Sequence, residues 1–146
     1  MPSKLDQAIA SCISRLNGDA TMNTLGWVDN TVYWYHPPKA THYPCIVLEK
    51  QTDGKTHRMG GIAFRRHWVV FKVVDGGEAT NGMDGGVRAR AVAERIETLL
   101  TGFRPTIDDG YVMQIQSDTG FEFPEAEVGN KFWYHVGSTF TFWIGE

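Results

Sequence analysis

The segment from Phe132 to Ile144 constrains the fold more than any other part of the chain. Phe132, Tyr134, Val136, Phe140, Phe142 and Ile144 alternate with Trp133, His135, Thr139, Thr141 and Trp143. A period of two belongs to a β-strand, whose successive side chains point to opposite faces of a sheet. Both sets include large apolar rings. If helices cover the first set, something else must cover the tryptophans: this chain's own packing or a subunit interface.

The remaining segments supply those layers. Ser3 is a suitable N-cap, and Leu5, Ile9, Cys12, Ile13 and Leu16 form one helical stripe that ends at Asn17-Gly18. Residues 31–36, dense in β-branched and aromatic side chains, read as a strand closed by Pro37-Pro38. Strands over 45–51 and 62–74 make a long hairpin. Its projecting tip carries Lys55, His57 and Arg58, and charge on both faces at Arg65 and Arg66 places the returning strand outside the core until Trp68. The glycine-rich stretch 75–86 reads as a flexible loop, followed by a helix to Leu100 with Val87, Ala91, Arg95, Ile96, Leu99 and Leu100 in register. Strands at 111–116 and 120–125 precede the last one. The pattern predicts an α+β fold: a mostly antiparallel sheet packed against two α-helices, with a long protruding β-hairpin. No linker or repeat divides residues 1–146, so one domain is expected.

A net charge of −3 gives no general affinity for nucleic acid or anionic membranes. The N-terminus lacks a signal-peptide pattern and no window is apolar enough to span a bilayer, so a cytoplasmic protein without membrane contact is expected. Cys12 and Cys45 match no zinc or redox spacing and read as buried, unpaired thiols.

The residues that could carry catalysis form no recognisable constellation. His36, His42, His57, His67 and His135 contain no metal-binding pair at helical spacing. Asp108-Asp109-Gly110 reads as a turn. Glu122, Glu125 and Glu127 read as a solvated face, with an acidic lumen or partner surface as the functional alternative. The glycines of 76–86 lack the Lys-Ser/Thr ending of a phosphate loop, and no Gly-x-Ser-x-Gly elbow is present. No catalytic residue, metal ligand or cofactor is assigned. A deep pocket joining two or more of His36, His67, His135 and Asp109 would instead favour a ligand-binding or enzymatic domain.

Several segments, taken in order, resemble a known family. They are the helix ending in Leu16-Asn17-Gly18-Asp19, Val32-Tyr33 before a proline-bearing loop, and Tyr43-Pro44-Cys45-Ile46-Val47-Leu48. After the charged hairpin come His67-Trp68-Val69-Val70-Phe71-Lys72-Val73 and Ala93-Glu94-Arg95-Ile96-Glu97-Thr98-Leu99-Leu100. Together they resemble the tail terminator, or tail completion, proteins of long-tailed bacteriophages. The resemblance implies a structural virion protein, assembled in the host cytoplasm, that forms a hexameric ring at the end of the tail tube. Such a ring stops tube growth and docks the head. Its partners would be further copies, the tail tube protein and a head-closure or neck protein, while DNA passes through the channel without specific binding. The long glycine-rich stretch and the tryptophans of the last strand depart from the family pattern. A heterologous ring needs two unlike patches per subunit. Lys55, His57, Arg58, Arg65 and Arg66 are the candidates for one, and the face bearing Trp133 and Trp143 for the other. Another neck or tail component, such as a head-closure or tube-like subunit, is the alternative.

Overall fold

A computed structural model describes residues 3–39, 41–52, 55–78, 82–108, 110–126 and 131–145. Helix α1 (Lys4–Leu16) begins where the Asp6 N–H donates to the Ser3 hydroxyl at 3.0 Å, and it buries Leu5, Ala8, Ile9, Cys12 and Leu16. A short helix not expected from the sequence, α2 (Ala20–Thr24), is capped by Asp19, which accepts the Met22 N–H at 2.9 Å. The same carboxylate receives Arg95 at 2.9 Å, which ties α2 to α3 (Gly82–Leu100). Arg95 is therefore no part of the apolar stripe. That stripe is Ala89, Val92, Ile96 and Leu100, and Val87 is exposed.

The strands are β1 (Val32–Trp34), β2 (Cys45–Thr52), β3 (His57–Met59), β4 (Ile62–Glu78), β5 (Tyr111–Ala126) and β6 (Lys131–Gly145). They form one sheet in the order β1-β2-β4-β6-β5, with β3 paired to the outer end of β4. Every pairing is antiparallel except β1 with β2. The α+β architecture with helices on the sheet is thus observed. β1 is shorter than expected because Tyr35 turns into positive φ (65°) ahead of the two prolines.

Two expectations fail for the same physical reason. The stretch 75–86 is not a loop: β4 continues to Glu78 and α3 begins at Gly82, while residues 79–81 lie outside the described part. β6 pairs with β4 as far as Glu78↔Lys131, and this ladder overrides the poor strand propensity of Gly76 and Gly77. At Gly86 an added Cβ would lie 3.2 Å from Tyr134 Cδ1, so glycine there lets α3 approach the sheet closely. Likewise 111–116 and 120–125 are one strand, because β6 offers a partner along its whole length. A register shift between Ser117 and Thr119 absorbs the turn-like residues between the two expected segments, and a second shift lies between Val112 and Gln114.

Among the described residues, helices α1, α2 and α3 pack on one face of the sheet. Ile46, Leu48, Val69, Phe71, Val73, Val112, Ile115, Val136, Phe140, Phe142 and Ile144 meet α1 and α3 there in the main core. Trp68 belongs to the other face and is half-buried, so the returning strand joins the main core through Val69, Phe71 and Val73, while Phe64 at its start is buried on the other face against His57 and Trp143. Burial of this many large apolar side chains, each worth about 1.5–3 kcal/mol on removal from water, holds the layers together.

Candidate functional site

The hairpin tip follows from Met59-Gly60-Gly61-Ile62. Met59 pairs with Ile62, which leaves a two-residue loop, and both glycines have positive φ (58° and 85°). That is the turn geometry whose twist matches a hairpin, and it needs glycine-like residues. β6 ends opposite Phe64, so residues 57–63 project beyond the neighbouring strand. Lys55 and Arg58 are exposed here, and so are Met59 (65%) and Ile62 (45%).

Arg65 and Arg66 point to opposite faces. Arg65 borders a cavity of about 400 Å³ on the helix side, lined also by Lys4, Lys50, Thr52 and His67. Lys50 there holds Asp6 at 2.7 Å and keeps its carboxyl below the usual carboxylate range, with help from Ser3. The Arg66 guanidinium lies between the rings of Trp68 (5.4 Å) and Trp143 (5.7 Å) on the other face. Phe64 stacks on His57 at 5.5 Å and meets Trp143 at 5.6 Å. His57, Arg66 and Trp143 are therefore brought together at the base of the hairpin. Trp133 is on the same face but about 33 Å along the strand, at roughly 3.3 Å per residue. It packs against Tyr43 at 4.6 Å.

Around Trp133, the helix-free face forms a groove of about 540 Å³, lined by His36, Tyr43, Lys72, Glu125, Trp133 and His135 among others. His135 is 9% exposed, stacks on Phe123 at 4.6 Å and donates from Nε2 to Glu125 at 2.8 Å. Burial pushes its pKa below 6.5 and the Glu125 contact opposes this, so the imidazole is neutral at pH 7. His135 Nδ1 and Trp143 Nε1 are buried with no hydrogen-bond partner among the described residues. Further along the face, Tyr35, Glu49, Trp68, Val70 and Thr139 line a second groove of about 570 Å³.

These groups offer little for covalent chemistry. Burial pushes both Cys12 and Cys45 up to about 12, so neither is a thiolate near neutral pH. Among the described residues no three His, Cys, Asp or Glu side chains cluster as metal ligands. Among the described residues no helix is long and apolar enough to cross a membrane. His36 and His135 do line one groove, but His67 belongs to the helix-side cavity and Asp109 lies outside the described residues.

Sequence reasoning missed the exposed pair Met59 and Ile62, although apolar residues flanking a Gly-Gly turn were the available signal. It also missed Asp75, placed in the supposed loop but fully buried at the end of β4.

No protein-family model matches the chain, and no curated protein matches its sequence. Its fold, however, recurs in a virus-like particle. A chain in the solved "Virion of native gene transfer agent (GTA) particle" is similar over 100% of both chains, with a TM-score of 0.71 and 18% identity. At this identity the likeness is one of fold.

Proposed function

We propose that this chain is a structural protein of a phage-like virion, without enzymatic activity, and more narrowly a tail terminator. The observation that carries the reading is the end-to-end coincidence of its fold with a chain of the gene transfer agent virion. In the proposed role, copies close into a hexameric ring on the tail tube, end its growth and present a docking surface to a head-closure or neck protein. The net charge of −3 suits a channel that passes DNA without retaining it. The projecting hairpin is the candidate for one of the two unlike surfaces that a closed heterologous ring requires.

Incubation with purified tail tube protein, followed by negative-stain imaging, tests the reading. Rings at tube ends support it. Attachment to a portal-side adaptor and not to tube ends would make the chain a head-closure component instead.

One observation favours a second reading, a ligand-binding or enzymatic groove: His36 and His135 line the same depression. A small-molecule library read by thermal shift separates the two. A ligand lost in His135→Gln would support the groove.

A further inference from the structure

The sheet carries opposite charge at its two ends. Residues 55–66 hold Lys55, Arg58, Arg65 and Arg66 and no carboxylate. Residues 117–126 hold Asp118, Glu122 and Glu125 and no cation. Phe64 pairs with Gly145 at one end of the ladder, whereas Ala126 pairs with Phe132 at the other. Arg65 lies opposite Ile144, whereas Glu122 and Glu125 lie opposite Val136 and Trp133; at roughly 3.3 Å per residue they are about 26 and 36 Å away along the sheet, too far to meet within one copy.

Both ends also expose apolar surface: Met59 (65%) and Ile62 (45%) on the hairpin, Phe123 (45%) on β5. β5 is the outer strand of the sheet, and Glu122 to Ala126 are all exposed. Pro124 has no N–H to offer, and the two register shifts and the carboxylates further blunt this edge against indiscriminate strand addition. Recognition here falls to side chains. Glu122 already receives Arg90, and Glu125 receives His135, yet their side chains remain 43% and 64% exposed. A carboxylate so placed keeps acceptor sites for a second donor.

We propose that the β3–β4 hairpin of one copy seats on the far half of β5 in the next copy. Met59 and Ile62 pack on Phe123, while Arg58 and Arg65 meet Glu122 and Glu125. The inference rests on the ring-forming reading and assigns its two unlike patches. Exposed ion pairs contribute little affinity individually, so the apolar contacts hold the copies together and the charges set orientation and register.

Charge reversal tests this with the full chain and tube protein, read by size-exclusion chromatography with light scattering. Arg58→Glu/Arg65→Glu and Glu122→Lys/Glu125→Lys should each stay folded by circular dichroism and each fail to form rings. Mixed in equal amounts they should form rings again, because both contacts in the alternating ring are complementary. Either variant assembling alone like wild type, or a folded mixture that stays dissociated while wild type forms rings, overturns the hairpin–β5 contact and leaves the ring reading standing. Wild type that never forms rings overturns both. Met59→Ser/Ile62→Ser touches no carboxylate and should weaken assembly by about tenfold; unchanged assembly would also overturn the contact.

Discussion

Asp75 and Arg88 join the end of β4 to the first turns of α3 through a two-point ion pair. Arg88 Nε and Nη2 reach the two carboxylate oxygens at 2.5 and 2.7 Å. The Asp75 side chain is 1% exposed and that of Arg88 45% exposed, so the pair lies at the margin of the core with its anion inside. Asp75 also accepts the Gly76 N–H at 2.9 Å. The contact fixes where the helix returns onto the sheet, in a segment whose composition alone suggests a flexible connector.

Arg88→Met is expected to destabilise the fold by roughly 3 kcal/mol, at the low end of breaking a buried pair because the arginine is half-exposed. Asp75→Asn in the same chain should recover part of that loss, since it removes the uncompensated charge. Urea unfolding of the two single variants and the double variant checks both statements. Additive losses would show that the pair is not coupled.

Gly137→Ala should abolish or severely weaken folding. A Cβ at this position would fall 2.8 Å from Lys72 Cα and nearer still to the Phe71 carbonyl oxygen, both backbone atoms of β4. Backbone cannot move aside as a flexible side chain does, so the central β4–β6 ladder would have to separate. The measurement is the thermal midpoint beside that of Gly120→Ala, where the nearest atoms are 3.8 Å away.

His135 should impose a pH dependence on stability. Burial lowers its folded pKa below 6.5, so the unfolded chain binds the proton more readily. The contribution is fully present above about pH 6.5 and is lost as pH falls through the lowered folded value. Wild type should therefore lose more stability than His135→Gln between pH 7.5 and 5.5. Equal losses in urea midpoints would mean that the imidazole titrates as if exposed.

Both thiols should be silent toward a thiol reagent in the native state and react only on unfolding. Cys12 and Cys45 are fully buried, and burial pushes each up to about 12. Titration with Ellman's reagent, with and without denaturant, checks this. Fast reaction of one thiol in native buffer would place it at an open surface.

What was legible in the sequence was the periodicity of long regular segments. α1 announced itself through Ser3 and a clean stripe, and the last strand through its alternation, because each repeats over several turns or pleats. The pairing of β2 with β4 was legible for the same reason, whereas the three residues of β3 and the Gly60-Gly61 turn were not, because so short a strand shows no readable period. The continuation of β4 through Gly76-Gly77 was not, because a ladder with a distant strand decides it and local propensity does not. Arg95 was misread because its partner, Asp19, lies 76 positions away. Of the expected interface residues, Arg66 and Trp143 prove to be neighbours while Trp133 stands apart, since strand periodicity reports the face but not the position along it.

In the proposed role this chain acts by assembling into a ring on a tube. Mass determination of the full chain by light scattering, with and without tail tube protein, tests it most directly. A closed hexameric species, free or at tube ends, is the expected result. A strict monomer at every concentration, unchanged by the tube, would contradict it.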